Sequence, residues 1–454
     1  MELYDYQKYA IRQIVMRDKL ALWLDMGLGK TTICLHAVNE LIRNKTIKSC
    51  LVIAPKLVCS VWEEEAAKWN LPLKVSLVVG DADARYKALH DDTAQVFVIS
   101  RDNLGWLFQQ DFQCDMLIVD ESTSVKNPST LRYSSLCHKQ ITLRGVKYFR
   151  KKRIIDMFER VVLLSGTPAS EGTYAGLWSQ ISLLCRGDEN PIGRTITEFK
   201  QNYMIPSYYN TPYPVYDKMR PGAVEIINRK LEPFCISMKS EDYLQLPDKI
   251  GIVRYTGMND KRYKSFEQTG VLRLGNTEIL AGGVQLWSKL QQISSGFVYD
   301  DKNIAHTLNH DKENALQELL ECIDEPVLIC YKFEYEKKFL KSIGGVVLDN
   351  DEDIQRFRNG DIRIGLIYPS SGGRGLTLTN TSVIIFYSLP LSYEDYIQSI
   401  KRVHRQSQTK AVRIIHMISK GTIDEHIYEL LVKKKEVLSG LMLYYKVRGE
   451  QRLF

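Results

Sequence analysis

The chain has 454 residues, 44% of them hydrophobic and 25% charged, with a formal net charge of +7. Its length suits two domains better than one, and its composition is typical of a globular protein rather than a disordered or collagen-like chain. The apolar runs are too short for a membrane span, charges interrupt the N-terminal segment where a signal peptide would be apolar, and the scattered cysteines lack the close pairs of a zinc site. A cytoplasmic location is expected.

Short apolar runs alternate with helical patterns along most of the chain. Strands are predicted at 20–24, 50–54, 75–79, 95–99, 116–119, 161–164, 327–331, 346–348, 362–368, 383–387 and 412–417. Runs that are apolar throughout are typical of parallel strands covered on both faces. The series predicts an α/β fold of two doubly wound parallel-sheet lobes.

The predicted N-terminal lobe spans 1–236 with an insertion near 172–236, and the predicted C-terminal lobe spans 237–454 with a helical insertion near 250–309. The first insertion contains a segment rich in tyrosine and proline, 203–216. Two interpretations of this segment stay open, packing on the lobe surface and stacking on nucleic-acid bases.

A phosphate-binding loop is predicted at 25–32, DMGLGKTT, between the run 20–24 and a helical pattern. Glycines let backbone N–H groups approach phosphates, and the helix N-terminus favours anions. The residues assigned to nucleotide binding here are Gly27, Gly29, Lys30, Thr31 and Thr32. Lys30 would reach the β- and γ-phosphates and Thr31 would ligate Mg²⁺. Leu24 stands where the general pattern has its first glycine, so a simple glycine turn is the alternative.

An acidic motif, LIVDES, supplies the second half of the predicted ATPase site. Asp120 and Glu121 follow the apolar run 116–119. Asp120 is expected to hold Mg²⁺ and Glu121 to polarise the attacking water. The pair is common by itself and becomes specific when a phosphate loop precedes it in the same lobe.

The second half of the chain contains an arginine pair, Arg402 and Arg405, in the helical pattern QSIKRVHR. Residues three apart project from one helix face. Both are suited to act as arginine fingers on the γ-phosphate, a role that contributes ~10³–10⁵ in rate. A solvated basic helix face is the alternative.

Several further segments resemble those of a known family. They are LYDYQ (3–7), VIAP (52–55), KNPST (126–130), SGTP (165–168), GLWSQISLL (176–184), SSGGRGLTLT (370–379), QSIKRVHRQSQ (398–408) and GTIDEHIYELLVKKK (421–435). In this order they are similar to the Swi/Snf-type DNA-dependent ATPases of helicase superfamily two. The resemblance runs nearly end to end and is to a minimal version of the phage or bacterial kind.

The resemblance implies two RecA-like lobes of a P-loop NTPase that clamp ATP with Mg²⁺. It implies translocation along duplex DNA, in a bacterial or phage-infected cell, to remodel protein–DNA complexes or branched DNA. A protein loader or target is a further expected partner. Tyr4 and Gln7 match the adenine-reading motif, and Gly375 and Gln398 are assigned to the nucleotide site by their motifs. Ser122, Thr123, Arg374 and Ser407 depart from the family pattern.

Nucleic-acid contacts are expected from polar or aromatic residues near strand ends and from a basic run at 144–153. The assigned residues are Lys56, Ser100, Arg101, Lys126, Asn127, Arg150, Lys151, Lys152, Lys332, Phe333, Ser371 and Thr377. Phosphate contacts of this kind position a protein on its nucleic acid and make its affinity dependent on salt. The basic run has an alternative interpretation as the solvated face of a helix.

Three other functions are weighed against the DNA translocase. A strand-separating DNA or RNA helicase would need a wedge element, and the sequence shows none that we can identify. An ATP-gated nucleic-acid clamp with weak turnover conflicts with the complete set of candidate catalytic residues. A P-loop enzyme acting on small molecules leaves the arginine pair unexplained.

Overall fold

The fold was analysed in a computed structural model, which describes residues 2–169, 174–186, 189–207, 215–244, 246–257, 261–275, 277–282, 284–369 and 377–444. The chain divides into two compact units, Met1–Leu244 with Glu436–Phe454, and Gln245–Lys435. Within the described ranges, no helix combines the length and apolarity needed to cross a membrane.

The first unit alternates strands and helices in the order predicted. Its elements are α1 (Asp5–Met16), β1 (Lys19–Leu24), α2 (Lys30–Arg43), β2 (Cys50–Ala54), α3 (Cys59–Lys68), β3 (Val75–Val78), α4 (Ala82–Leu89), β4 (Val96–Ser100), α5 (Leu104–Leu107), β5 (Met116–Val119), α6 (Leu131–Cys137), β6 (Gln140–Leu143), β7 (Val146–Phe149), β8 (Arg160–Ser165), α7 (Ala175–Leu184), α8 (Ile196–Tyr203), β9 (Met204–Ser207), β10 (Val215–Met219), α9 (Ala223–Leu231), β11 (Cys235–Met238) and α10 (Ser240–Tyr243).

The first sheet is parallel throughout, with strand order β11-β1-β8-β5-β2-β4-β3. Every residue of β2, β5 and β8 is buried, as the uniformly apolar runs predict for strands covered by helices on both faces. This order places the carboxyl ends of β1, β8 and β5 side by side, so the segments that follow these three strands meet at one edge of the sheet.

The second unit has its own sheet. Its elements are β12 (Lys249–Thr256), α11 (Lys261–Thr269), β13 (Val271–Leu274), β14 (Thr277–Leu280), α12 (Val284–Ser294), β15 (Phe297–Tyr299), β16 (Ala305–Thr307), α13 (Asp311–Glu321), β17 (Val327–Cys330), α14 (Glu334–Ser342), β18 (Val346–Val347), α15 (Asp351–Asn359), β19 (Ile364–Ile367), β20 (Val383–Phe386), α16 (Tyr393–Val403), β21 (Val412–Ser419) and α17 (Ile423–Tyr444). The strand order is β12-β21-β20-β17-β19-β18, and all neighbours are parallel.

A buried ion pair lies in the core of the second unit. Lys312 on α13 and Asp424 on α17 are each 1% exposed, and Lys312 Nζ lies 2.9 Å from an Asp424 carboxylate oxygen. Asp424 also accepts hydrogen bonds from the Ser294 hydroxyl at 2.9 Å and the Ser419 backbone N–H at 3.2 Å. The contacts join α17 to α13, α12 and β21 through one carboxylate.

The fold confirms the two predicted parallel-sheet lobes and changes three details. The division follows Leu244 rather than residue 236, because β11 pairs with β1 and completes the first sheet. The insertion predicted near 250–309 is not wholly helical: β12 is an edge strand of the second sheet, and two hairpins, β13–β14 and β15–β16, follow it. The basic run at 144–153 lies partly in the hairpin β6–β7, so the helix-face interpretation is wrong.

Candidate nucleotide site and nucleic-acid surfaces

The loop after β1 has the conformation that a phosphate site requires. Gly27 and Gly29 have φ values of +88° and +75°, which a side chain would strain. A Cβ on Gly29 would also lie 2.6 Å from the Gln7 side-chain nitrogen. Lys30 then opens α2, so the first N–H groups of a long helix follow the loop. These groups have no partner within their own helix and attract anions.

Lys30 meets the acidic motif at the end of β5. Its Nζ lies 3.7 Å from Glu121 Oε1 and donates to the Leu24 carbonyl oxygen at 3.3 Å. The second Glu121 carboxylate oxygen, Oε2, is buried with no hydrogen-bond partner in the described structure. A buried carboxylate oxygen without a hydrogen bond is costly in free energy. Oε2 is therefore available to accept a hydrogen bond from a ligand bound next to Lys30.

Asp120 is 6% exposed at the end of β5. Burial raises the pKa of its carboxyl above the usual range, the neighbouring Glu121 raises it further, and the Lys30 and Arg101 cations oppose the shift. Two adjacent carboxylates in low dielectric require more positive charge than Lys30 supplies. The donor set therefore fits Mg²⁺, a hard cation that prefers oxygen ligands, with ATP phosphates.

The SGTP segment lies against the phosphate loop. A Cβ on Gly166 would approach the Leu24 carbonyl oxygen to 3.2 Å and Lys30 Nζ to 3.6 Å. The motif is braced by Ser122, which donates to the Gln180 side-chain oxygen at 2.7 Å, while Gln180 donates to the Pro168 carbonyl at 2.9 Å. Ser122, one of the departures from the family pattern, thus connects the acidic motif to SGTP through α7.

Tyr4 and Gln7 lie at the start of α1, beside the loop. Gln7 accepts from the Tyr4 backbone N–H at 3.0 Å and donates to the Leu28 carbonyl at 3.4 Å. The Tyr4 ring is half exposed and stacks on Tyr6, which contacts Tyr243 at 4.8 Å between centroids. The structure therefore brings Gln7 to the phosphate loop, holds Tyr4 beside Gln7, and adds the aromatic contacts of Tyr6 and Tyr243, which sequence reasoning missed.

Two predictions around the loop need correction or addition. The Thr32 hydroxyl is not directed to the nucleotide loop, because it donates to a Glu65 carboxylate oxygen on α3 at 2.9 Å. Thr31 is half-buried at the start of α2 and agrees with the predicted position. Sequence reasoning missed Ser240, whose hydroxyl and backbone N–H donate to the Asp25 carboxylate at 3.0 and 3.3 Å.

In the second unit, Arg402 and Arg405 are close enough that the charge of Arg402 lowers the pKa of Arg405, after the larger effect of burial. Arg405 donates to the Thr377 hydroxyl at 2.7 Å and to the Lys401 carbonyl at 2.9 Å. Arg402 is 4% exposed, and its Nη2 has no acceptor in the described structure. Two cations held together, one with an unsatisfied buried donor, are suited to bind an anion. The alternative of a solvated basic helix face does not fit, because Arg402 is buried.

The remaining nucleotide-site assignments differ in outcome. The Gln398 amide donates to Glu394 at 3.3 Å along α16. Ser407, another departure, exchanges a hydrogen bond with Thr379 at 2.9 Å. Gly375 and Ser371 lie outside the described residues, as does half of the tyrosine-proline segment 203–216, namely 208–214.

The predicted nucleic-acid residues separate into outward and inward groups. Lys56 and Asn127 are exposed on the loops after β2 and β5. Lys126 is half-buried, and Arg101 is half-buried with a buried Nε that lacks an acceptor. Phe333 packs edge-to-face on Phe297 at 5.5 Å.

Four of these residues are engaged within the protein, contrary to expectation. The Ser100 hydroxyl is buried and accepts from the Asp102 N–H at 3.3 Å. Lys332 donates to Gln291 at 2.5 Å, and the Thr377 hydroxyl accepts from Arg405. Arg150 donates to the backbone carbonyls of the segment before β5. Of the three nucleic-acid residues assigned from the basic run, Arg150, Lys151 and Lys152, the two lysines are exposed.

Protein-family models match this chain over two segments. The SNF2-related domain matches residues 6–332, and the helicase conserved C-terminal domain matches residues 347–407. Putative protein p41 of Acyrthosiphon pisum secondary endosymbiont phage 1 is 28% identical, over 96% of this chain and 97% of its own length.

Longer relatives are also similar. The putative ATP-dependent helicase/translocase YwqA of Bacillus subtilis is 25% identical over 96% of this chain and 48% of its own length. Chromodomain-helicase-DNA-binding protein 1-like of Mus musculus is 23% identical over 91% and 46%, so the chain spans about half the length of these two. The SWI2/SNF2 ATPase core of Sulfolobus solfataricus, solved with double-stranded DNA, is 19% identical over 98% of this chain and 94% of its own, with a TM-score of 0.45.

Proposed function

The chain belongs to the SNF2-related family of helicase-type ATPases, and on this premise we propose that it is an ATP-driven motor that moves along duplex DNA. The proposed work of the motor is to remodel protein–DNA complexes or branched DNA. The observation that carries the proposal is the cluster of Lys30, the buried Asp120 and Glu121 beside a left-handed glycine loop.

In the proposed hydrolysis, each group of the first unit has a separate task. Lys30 exchanges its contact with Glu121 for the β- and γ-phosphates, which it neutralises. The released Glu121 carboxylate accepts a hydrogen bond from the attacking water and orients it toward phosphorus. Thr31 and Asp120 would hold Mg²⁺. The metal, when bound, would supply Lewis-acid stabilisation of the phosphate oxygens.

The arginine pair of the second unit is proposed to neutralise charge that develops on the γ-phosphoryl group. Arg405 is oriented by two hydrogen bonds, to Thr377 and the Lys401 carbonyl, so little side-chain entropy is lost when it binds an anion. Arg402 has an unsatisfied donor ready for the same anion.

Duplex DNA is proposed as the track. The name of one relative includes helicase and DNA-binding. In this chain, the segments after the carboxyl ends of β2 and β5 contain the exposed Lys56 and Asn127 and the half-buried Lys126. Contacts with DNA phosphates at these positions would not disturb the core. A phage relative of nearly equal length supports a bacterial or phage-infected cytoplasm as the place of action.

The test is steady-state ATP hydrolysis measured without nucleic acid and with single-stranded DNA, duplex DNA or duplex RNA, followed by displacement of a third strand from a DNA triplex. We expect duplex DNA to stimulate hydrolysis and to support displacement. Lys30→Ala should abolish both, whereas Lys45→Ala, an exposed lysine beyond the end of α2, should alter neither. Hydrolysis that is equal and weak in all four conditions would contradict the motor and favour a clamp.

A further inference from the structure

The hairpin β6–β7 presents an outward face that the ATPase site does not explain. Thr142 pairs with Lys147 and Gln140 with Phe149, so these four side chains project from the same face. All four are exposed, and Phe149 is 69% exposed. Phe149 is among the most exposed large apolar side chains of the described residues, so its ring is accessible to a ligand.

The hairpin is firmly attached to the first unit. On its inner face, Ile141 is 3% exposed, and Leu143 approaches Gly105 of α5 closely enough to leave no room for a Cβ. Arg150, directly after β7, donates to the Phe108 and Gln110 carbonyls at 2.9 and 2.6 Å. Its guanidinium is therefore an anchor, and the outward face is presented on a fixed support.

The exposed charge around this face is positive. The side chains of Lys139, Arg144, Lys147, Lys151 and Lys152 are exposed and form no ion pair with any described residue. Of the nearby acids, Asp156 forms a two-bond pair with Arg153, and the exposed Asp111 lies 3.9 Å from Arg150. Unpaired lysines beside an exposed ring are complementary to a polyanion that also offers flat apolar faces.

Next to the hairpin lies an open groove of about 1370 Å³. Tyr148, Phe149, Lys151 and Lys152 line it, together with Phe112 from the segment before β5. Asp111, Asp115 and Asp156 also line it, so phosphates would contact the two lysines and not the carboxylates. The groove has room for nucleotides whose bases have left a duplex.

We propose that the hairpin β6–β7 binds unpaired nucleotides of DNA, with Phe149 stacking on a base and Lys147, Lys151 and Lys152 contacting phosphates. A ring can stack only on a base whose face is open, and bases inside a duplex are covered by their neighbours. The inference rests on the proposed DNA motor and narrows its substrate to DNA with an unpaired segment, as at a branch point or gap.

The test uses the full chain and fluorescence anisotropy with two probes, a blunt duplex of about 30 base pairs and the same duplex with an overhang of about 10 nucleotides. Phe149→Ala should weaken binding of the overhang probe about 5- to 100-fold, because stacking on one base accounts for a factor of that order. Phe149→Trp should retain binding, and blunt-duplex binding should be unchanged in both variants.

The lysines are tested by salt dependence. Lys147→Gln, Lys151→Gln and Lys152→Gln together should reduce the slope of log K against log salt for the overhang probe by about 2. The matched control removes three exposed cations at and beyond the end of α2, Arg43→Gln, Lys45→Gln and Lys48→Gln, and should leave the slope unchanged. Basal ATP hydrolysis should stay the same in the control variant.

The outcomes separate the two proposals. Equal losses on both probes, or unchanged affinity in Phe149→Ala and the triple variant, would overturn the hairpin inference while leaving the motor intact. Wild-type protein that binds neither probe and shows no DNA-stimulated hydrolysis would overturn both.

Discussion

Acid should destabilise the second unit through one buried histidine. His416 on β21 is 2% exposed; its Nδ1 faces the Ile252 carbonyl at 3.2 Å and its Nε2 faces the Tyr396 hydroxyl at 2.9 Å. The carbonyl only accepts, so Nδ1 carries the proton and Nε2 accepts from Tyr396. A second proton would have to enter where a hydroxyl already donates.

Burial lowers the pKa of His416 from 6.5 to about 4, and the Ile252 carbonyl offsets a small part of that effect. In the unfolded chain His416 is therefore protonated as the pH falls through 6.5, whereas in the folded chain it is protonated only near pH 4. The stabilisation from neutral His416 is present above pH 6.5 and is lost as pH falls toward 4. At ~1.36 kcal/mol for each pKa unit, the difference between the two pKa values of His416 corresponds to about 3 kcal/mol in the free energy of unfolding.

The assay is urea unfolding at pH 7 and pH 4.5, with hydrogen exchange in β20 and β21 used to identify the transition of the second unit. The wild type should lose about 2–3 kcal/mol more than His416→Gln, which cannot titrate. His138→Gln, at an exposed position, should follow the wild type. Parallel pH dependence of the wild type and His416→Gln would refute the reasoning.

Three further predictions concern the charged clusters. Lys30→Ala should reduce kcat about 100-fold or more, because phosphate neutralisation is lost; turnover within a few-fold of wild type would remove Lys30 from the mechanism. Arg405→Lys keeps the charge but loses the planar fork, so kcat should fall about 10³-fold with little change in KM for ATP; a change confined to KM would contradict this. Lys312→Met or Asp424→Asn alone should lower the free energy of unfolding by about 3–5 kcal/mol, and the double variant should recover at least half; additive losses in a double-mutant cycle would show that the pair is not coupled.

Much of the fold follows from local sequence. The predicted strands at 50–54 and 116–119 match β2 and β5 residue for residue, because runs buried on both faces are apolar throughout. The edge strands of the two sheets have weaker sequence patterns. β11 is only four residues long, and six of the eight residues of β12 are exposed, so neither has the pattern of a central strand.

The hairpin β6–β7 has a sequence signal in its turn. Arg144 and Gly145 both have positive φ, +48° and +81°, the requirement of a two-residue type I′ turn. Arginine is an unusual first residue for this turn, so Arg-Gly is a weaker turn signal than Asn-Gly or Asp-Gly. Recognition of Gly145 as a turn residue would have predicted two strands here instead of a helix face.

The candidate site was predictable where its residues are close in sequence and not where they are distant. Lys30, Asp120 and Glu121 lie in short motifs whose residue types follow from phosphate and magnesium chemistry. By contrast, no local pattern indicates that Ser240 contacts Asp25 or that Tyr243 contacts Tyr6. Those contacts arise because β11 pairs with β1, a result of tertiary folding.

The Ser240 contact has a mechanical consequence. Asp25 begins the phosphate loop, and its backbone N–H also donates to the Met238 carbonyl at 3.0 Å. The end of β11 and the start of α10 are therefore joined to the first residue of the phosphate loop by three hydrogen bonds. These bonds tie the conformation of the phosphate loop to the last segment of the chain before Leu244, where the first unit gives way to the second.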